Sequence, residues 1–212
     1  RDSRSTEAAA LAAARLLGRA DQDRVKALAG AAMLDGLEGG GFSGRVVLGP
    51  RGDRILSHGS TVGVEALAEV DLAVYPVEGA SLIGRGAAGA ISVAIAVPRG
   101  TFPAPPAVWY MDKIVAGPSA RGAIELEDSL ADNLRRIAFA RDARVSDLVV
   151  AILDRPRHHD LVEEARASGA RVLLLEEGEI AAAMMAALDG TGVDAMIGVG
   201  GLQETIISAC AV

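Results

Sequence analysis

Three short apolar runs in the C-terminal half of the chain, each followed by a stretch with helical periodicity, constrain the fold most. The runs lie at residues 148–153, 171–175 and 193–199, and the helical stretches lie at residues 160–168, 179–188 and 203–211. Successive runs start about 22 residues apart, which is the spacing of a strand, a crossover helix and the next parallel strand. The pattern predicts a parallel βαβαβα sheet in this half of the chain. A helix is also predicted within residues 125–141, with Leu130, Leu134, Ile137 and Ala138 facing inward.

The N-terminal half combines helices with strands. Helices are predicted at residues 7–17, with Ser5 or Thr6 as the N-cap, and at residues 21–37. The apolar face expected for the second helix consists of Val25, Leu28, Ala32 and Met33. A short strand is predicted at residues 45–48, and the β-branched run at residues 91–97 is typical of a strand that is covered on both faces.

An apolar run that begins at Val70 ends in a turn that carries one carboxylate. Pro76 has no N–H to donate to a neighbouring strand, so we expect strand pairing to end there, and Gly79 allows the backbone to approach a bound group. Glu78 is then held at the mouth of a buried strand. Position alone leaves two readings equally open, a solvated turn carboxylate and a site residue.

Polar and glycine-rich loops follow the three C-terminal strands, at residues 154–159, 176–179 and 198–201. Ligands of open parallel sheets bind at the carboxyl ends of the strands. Arg155 and Arg157 flank a proline, and paired guanidinium donors suit phosphate, although a solvated helix-capping loop is the alternative. His158 and His159 are adjacent, so at most one of them points into a pocket. The three loops together predict a ligand site.

Composition excludes several classes of function. Half of the 212 residues are hydrophobic and the formal net charge is −7. With a pI near 5.0 and only 3% aromatic residues, the chain lacks the basic and stacking residues of a nucleic-acid binder. Residues 86–98, the longest uncharged stretch, are too few to cross a membrane. Cys210 is the single cysteine, so we expect a reducing compartment, the cytoplasm, and a buried, unreactive thiol.

Several motifs resemble those of one enzyme family. Residues 75–80 read Tyr-Pro-Val-Glu-Gly-Ala, residues 110–113 read Tyr-Met-Asp-Lys, and residues 177–179 read Glu-Gly-Glu. They resemble the Asp-Pro-x-Glu-Gly-Thr, Tyr-Met-Asp/Glu-Lys and Asp-Gly-Asp motifs of class II fructose-1,6-bisphosphatases, which belong to the lithium-sensitive, metal-dependent phosphatase superfamily. The resemblance runs from Ser5 to Ala211.

The resemblance implies a fold and a ligand. The expected fold is a layered α/β/α sandwich of sugar-phosphatase type, with two lobes at residues 1–118 and 119–212, the second truncated relative to the family, and the site between them. The expected ligand is a phosphorylated sugar or polyol. The implied ligand-binding residues are Gly79, Tyr110, Arg155, Arg157, Glu177, Glu179 and Gly201. Because family members continue with further strands, we expect apolar sheet edges that a homo-oligomer covers.

A divalent cation, Mg²⁺ or Mn²⁺, is also implied by the resemblance. The implied metal ligands are Glu78, Glu204 and an acid between the two predicted helices, which is either Asp21 or Asp23. The three acids outside the strand, Asp21, Asp23 and Glu204, also read as first-turn residues favoured by a helix dipole. Tyr75, Pro50 and Ala80 stand where the family has two carboxylates and a hydroxyl, and Arg51 follows Pro50. We therefore expect metal binding that is weak or lost.

Three functions stay open at this stage. The first is a bisphosphatase-like protein that binds a sugar phosphate but hydrolyses it poorly. The second is an isomerase, lyase or cyclase of a biosynthetic pathway, with Tyr75 as proton donor and Glu78 or Glu204 as base. The third is a non-catalytic binding or partner subunit. His58 is expected at the surface in all three.

Overall fold

The computed structural model describes residues 3–41, 43–50, 55–64, 68–102 and 108–210. The chain forms two compact units, Arg1–Ala107 and Val108–Val212. The sequence placed the boundary between residues 118 and 119, after the strand that opens the second unit. The structure divides the chain earlier because that strand pairs along its whole length with the last strand of the chain.

The first unit is a four-stranded sheet with two long helices packed on it. Its elements are α1 (Arg4–Ala14), α2 (Gln22–Gly39), β1 (Gly44–Leu48), β2 (Thr61–Val62), β3 (Val70–Glu78), α3 (Ala80–Arg85) and β4 (Ile91–Pro98). The strand order is β2-β1-β3-β4, in which β1 and β3 are parallel and the other two pairs are antiparallel. One continuous core joins the helices to the sheet.

Both N-terminal helices are confirmed, with corrections at their ends and faces. The first helix starts before the predicted N-caps Ser5 and Thr6, and Asp21 is the N-cap of the second. The buried face of α2 follows an i, i+4 row, and its members are Val25, Ala29, Met33 and Leu37. Leu28 was predicted to face inward, but it is 39% exposed because it lies off this row.

Two expectations about the sheet of the first unit are wrong. Strand β3 continues through Pro76 to Glu78, because the ladder with β4 shifts register between Tyr75 and Glu78 and so needs no amide hydrogen from the proline. Strand β4 was predicted to be covered on both faces. It is instead the edge strand, partly exposed along its length, and β3 is its pairing partner among the described residues.

The second unit contains the predicted parallel sheet and one additional antiparallel strand. Its elements are β5 (Tyr110–Ala116), α4 (Leu130–Ala140), β6 (Val149–Leu153), α5 (His159–Ala167), β7 (Arg171–Leu175), α6 (Glu179–Ala187), β8 (Ala195–Gly201) and α7 (Leu202–Cys210). The strand order is β5-β8-β6-β7, with β8, β6 and β7 parallel and β5 antiparallel to β8. The α/β class and the βαβαβα pattern are confirmed.

The glycine-rich stretch at residues 198–201 is not a loop. It is the last part of β8, and it pairs residue by residue with the start of β5, from Gly198 opposite Lys113 to Gly201 opposite Tyr110. Helix α7 begins at the next residue, Leu202. Sequence alone favoured a loop because glycine weakens a strand, whereas here the missing side chains leave room for side chains of neighbouring elements.

Helices cover both faces of the second sheet. Helices α4 and α5 pack on one face, and the inward residues predicted for α4, Leu130, Leu134, Ile137 and Ala138, are all buried. Helix α6 packs on the opposite face through Ala182 and Ala186. The second unit is therefore a three-layered α/β/α sandwich.

The structure tests two expectations about exposure, one for Cys210 and one for His58. Cys210 was expected to be buried, but it is exposed at the end of α7, where partial burial still raises the pKa of its thiol. His58 is exposed, as expected, and its Nδ1 lies 2.7 Å from the Val47 carbonyl oxygen. None of the helices within the described ranges has the length and apolar character needed to cross a bilayer.

The core of the second unit predicts a contrast between two positions of one helix. Leu134 is fully buried in α4, whereas Phe139 of the same helix is 89% exposed. We expect Leu134→Ala to lower the free energy of unfolding by about 2–5 kcal/mol, because it removes buried methyl groups and leaves a cavity. Phe139→Ala should change it by about 0.5 kcal/mol or less. Urea unfolding measures both, and equal losses would contradict the packing described for α4.

Candidate functional site

A group of charged side chains surrounds the glycine-rich end of β8 in the second unit. Lys113 comes from β5, Glu179 opens α6, Glu204 lies in the first turn of α7, and Arg157 lies in the turn before α5. We call these four residues the charged cluster. They come from four elements, and all four elements meet where β8 ends, as expected for a ligand site on a parallel sheet.

Lys113 and Glu179 form a buried ion pair at the centre of the cluster. The two residues are 6% and 7% exposed, and the Lys113 ammonium donates a hydrogen bond to Oε1 of Glu179. The pair lies against the backbone of Gly200, so a Cβ at that position would overlap both headgroups. Any side chain at position 200 would therefore displace the pair.

The electrostatic neighbours of Glu179 join the four charges into one system. Burial raises the pKa of the Glu179 carboxyl, and the Lys113 ammonium opposes this rise by its charge and its hydrogen bond. The Glu204 carboxylate raises the pKa further, and the Arg157 guanidinium lowers it. Glu204 in turn lies against the backbone of Gly201, where a Cβ would overlap the end of the glutamate side chain. The glycines of β8 thus let charges on different elements act on one another.

Arg157 and Tyr110 form a second contact of the site. The Arg157 guanidinium donates from Nε and Nη2 to the Val199 carbonyl oxygen, at 3.3 and 2.9 Å. Its carbon Cζ lies 5.5 Å from the centre of the Tyr110 ring, which is within range of a cation–π interaction. Tyr110 itself is 64% exposed. The carbonyl and the ring fix the orientation of the guanidinium at an accessible surface.

His158 is a structural residue of the site. Its Nδ1 donates to the Leu153 carbonyl oxygen at 2.9 Å, and its Nε2 accepts from the Val199 amide at 2.9 Å. The side chain is buried, and its ring lies close to Gly198, 3.1 Å from where a Cβ would stand. Both ring nitrogens are occupied, so His158 connects the ends of β6 and β8 and has no lone pair left for a metal.

Arg155 and Glu177, two predicted ligand-binding residues, lie in the neighbouring loops. The Arg155 guanidinium donates to the carbonyl oxygens of Asp154 and Glu176, at 2.8 and 2.7 Å, and so connects the loops that follow β6 and β7. A cation before a helix is disfavoured by the helix dipole, and these hydrogen bonds give a structural reason for an arginine at position 155. Glu177 is half-buried next to Gly178, whose φ of +95° makes the turn into α6.

The predicted residues of the first unit are placed at the end of β3. Glu78 is the last residue of the strand and is 5% exposed, and Tyr75 is half-buried three residues earlier. Gly79 follows with a φ of +86° and begins α3, and a Cβ there would approach Leu82 to 2.9 Å. The glycine is thus required by the turn and by the packing of α3, in addition to any role in ligand approach.

Asp21 is the N-cap of α2 and Asp23 lies in its first turn, so both acids stand at the helix start, the alternative that the sequence also allowed. Asp21 Oδ1 accepts the Arg24 amide at 3.0 Å, so this carboxylate caps the helix. Pro50 is described by the structure, whereas Arg51 lies outside the described residues. Within the described part of either unit, no three Asp, Glu, His or Cys side chains converge closely enough to hold a metal ion.

Sequence reasoning missed two residues of this region. Lys113 is a member of the charged cluster, and His158 connects the ends of β6 and β8. Lys113 belongs to the Tyr-Met-Asp-Lys motif, and a lysine in an otherwise apolar strand that pairs with glycines is a signal that was available. No local signal indicates that His158 rather than His159 points inward, because the choice depends on where the Leu153 carbonyl and the Val199 amide lie.

Comparison with known proteins identifies the class of this α/β chain. Residues 2–212 match the family model described as bacterial fructose-1,6-bisphosphatase, glpX-encoded. A D-fructose 1,6-bisphosphatase class 2/sedoheptulose 1,7-bisphosphatase of Synechococcus sp. (strain JA-3-3Ab) is 40% identical over 222 residues. Two such proteins of Acaryochloris marina (strain MBIC 11017), numbered 2 and 1, are 36% and 37% identical over 222 residues. In each case the match covers 97% of this chain and 63% of the relative.

The chain therefore belongs to the class II fructose-1,6-bisphosphatase family, as its motifs indicated. It spans 63% of the length of these curated relatives. The family is one of metal-dependent phosphatases, and its members bind phosphorylated sugars.

The adjacent residues His158 and His159 allow a matched test of whether His158 connects β6 and β8. We expect His158→Phe to lower the free energy of unfolding by about 2–4 kcal/mol, because it leaves the Leu153 carbonyl and the Val199 amide without partners. His159→Phe should change it by about 0.5 kcal/mol or less, because that side chain is 77% exposed. Urea unfolding of both variants is the measurement. Equal stability of the two would mean that His158 does not connect β6 and β8.

Proposed function

We propose that this chain binds a phosphorylated sugar or polyol at the end of β8 and that metal-dependent hydrolysis of the ester is weak. The observation that carries the binding proposal is the orientation of Arg157. Its guanidinium is held by the Val199 carbonyl and the Tyr110 ring beside an exposed surface. Family membership supports a sugar phosphate as the ligand.

The donors of Arg157 fit an oxyanion. A guanidinium has five N–H donors in a planar fork, and two of them are used by the Val199 carbonyl. Among the described residues, the other three have no hydrogen-bond partner, and they point from a fixed group. A phosphate or sulfate can accept two of them in parallel, which is the geometry that arginine provides and lysine does not.

Removal of this guanidinium should weaken anion binding. We expect Arg157→Ala to weaken inorganic sulfate, phosphate or a sugar phosphate by roughly ten- to a hundredfold, since a charge-assisted contact contributes about 1.5–3 kcal/mol. Arg157→Lys should restore part of the loss. Arg166→Ala is the matched control, because Arg166 pairs with Glu163 on the outer surface of α5. Calorimetric titration measures each Kd, and equal binding by Arg157→Ala and the wild type would exclude this pocket.

The residues of the first unit support weak metal binding. Tyr75 and Pro50 replace two family carboxylates, and the Asp21 carboxylate already accepts a hydrogen bond from its own helix. At an effective dielectric constant near 20, one carboxylate about 4 Å from a divalent cation contributes roughly 8 kcal/mol before desolvation. The loss of two such groups outweighs what Glu78, Asp23 or Glu204 can supply. The residues present therefore do not fit the metal centre of the family.

The proposal predicts little hydrolysis by the unmodified protein. We expect weak binding of Mg²⁺ and Mn²⁺ and slow or undetectable release of phosphate from fructose 1,6-bisphosphate, because the ion that orients water and stabilises the leaving oxygen is poorly held. Phosphate release with and without added metal, together with metal titration by calorimetry, tests both parts. Robust Mg²⁺-dependent release would show that Asp21, Asp23, Glu78 and Glu204 suffice.

A second candidate function keeps the ligand and changes the chemistry. Tyr75 lies on β3 just before the buried carboxylate Glu78, so a proton donor and a base are both present at one strand end for isomerisation, elimination or cyclisation. Turnover of a phosphorylated or polyol metabolite without metal would favour it over a non-catalytic partner subunit. A cytoplasmic location is part of the proposal, since the single cysteine allows no disulfide within the chain. A homo-oligomer is also part of it, because a second subunit would cover the apolar sheet edges expected from the sequence.

A further inference from the structure

Strand β7 is a free edge of the second sheet. In the order β5-β8-β6-β7 it pairs with β6 on one side, and no other described strand lies on its other side. The Arg171 amide donates to the Leu148 carbonyl oxygen at 2.9 Å, so alternate residues of β7, starting with Arg171, bond to β6. The N–H and C=O groups of Val172 and Leu174, which lie between those residues, therefore point to the free side.

The sequence of β7 does not protect this edge. Natural edge strands are commonly blocked by charges, prolines or bulges. Strand β7 reads Arg-Val-Leu-Leu-Leu, and its ladder with β6 runs without a register shift. Leu173 and Leu174 are 39% and 41% exposed, and they lie on opposite faces of the sheet because successive side chains alternate. An apolar edge of this kind is suited to pairing with another strand.

The two ends of β7 carry opposite charges. Arg171 opens the strand, and Glu176 and Glu177 follow its last residue, Leu175. The Arg171 guanidinium is exposed and donates to the Asp147 carbonyl oxygen. A second copy that runs antiparallel brings Arg171 of each chain towards the acidic turn of the other, so unlike charges meet at both ends. Charge therefore favours an antiparallel copy of the same strand.

The other long edges of the two sheets lack this match. Strand β4 is preceded by Arg85 and the uncharged residues 86–90 and is followed by Arg99, so an antiparallel copy would bring cations together. Strand β5 carries Asp112 and Lys113 within the strand, and charges there discourage pairing at an edge. Among the edges of the described sheets, β7 is the one best suited to a second copy of this chain.

We propose that β7 pairs with β7 of a second copy of this chain, in antiparallel orientation around a twofold axis at Leu173. Val172 of one subunit then exchanges hydrogen bonds with Leu174 of the partner subunit, and the two Leu173 side chains face each other in a non-hydrogen-bonded pair. The interface is isologous, so it closes as a dimer and joins two four-stranded sheets into one. This inference rests on the homo-oligomer of the proposed function and not on the anion pocket.

Charges introduced at position 173 test the pairing. In Leu173→Lys or Leu173→Glu alone, like charges face each other across the axis, and we expect the Kd of the dimer to rise by at least about tenfold. An equimolar mixture of the two variants should recover dimers, because lysine then faces glutamate. Leu28→Lys is the matched control, since Leu28 on α2 is also 39% exposed, and it should dimerise like the wild type. Sedimentation equilibrium over a range of protein concentrations measures each Kd.

Hydrogen exchange of the wild type locates the interface. The amides of Val172 and Leu174 point to the free edge, so they should exchange at least about tenfold more slowly in the dimer than in the dilute monomer. The amide of Leu173 points to β6 and should be protected in both states, which makes it an internal control. Because this measurement uses the wild type, it decides the question even if the variants fold poorly.

The outcomes separate this inference from the oligomer on which it rests. If the wild type is monomeric at about 0.1 mM, the homo-oligomer and the β7 pairing are both overturned. If it is a dimer but Val172 and Leu174 stay unprotected, or both Leu173 variants dimerise like the wild type, the dimer uses another surface and only the β7 pairing is overturned. Failure of the mixture to recover dimers overturns the register at Leu173. Protection of both amides, with recovery by the mixture, supports the inference.

Discussion

The pairing of β5 with the glycine-rich end of β8 is the constraint on which the site in the second unit depends. Gly198, Gly200 and Gly201 are three of the last four residues of β8, and another group occupies the space that each of their missing side chains leaves. The His158 ring fills the first space, the Lys113–Glu179 pair fills the second, and the Glu204 carboxylate fills the third. A strand of ordinary composition would separate these groups, whereas this one brings them into electrostatic contact.

The buried ion pair at this strand end adds little stability compared with apolar packing. Removing two charges from water costs several kcal/mol each, and their attraction seldom exceeds that cost by much, so apolar residues of similar volume are often at least as stable. The raised pKa of Glu179 reflects this cost, since its largest cause is burial. The pair lies within electrostatic reach of Arg157, whose positive charge lowers the pKa of Glu179.

The first unit uses its acidic residues differently. Asp21 is committed to the amide of Arg24 at the start of α2, and Glu78 is enclosed at the end of β3 before the left-handed turn of Gly79. The role of Asp21 is local to the end of a helix. In the second unit, by contrast, the charges of four elements act on one another. The charges that act on one another around Glu179 therefore lie in the second unit, together with the Tyr-Met-Asp-Lys and Glu-Gly-Glu motifs that resemble those of the family.

The sequence by itself determined the α/β class, the βαβαβα order of the second unit and the inward face of α4, because hydrophobic periodicity records which side of each element is buried. It also pointed to Tyr110, Arg157 and Glu179 through their motifs. Only the tertiary structure decided that β3 runs through Pro76, that β4 is an edge, and that residues 198–201 belong to a strand. Each of these depends on which strand lies alongside, and strand neighbours distant in the chain leave no trace in local periodicity.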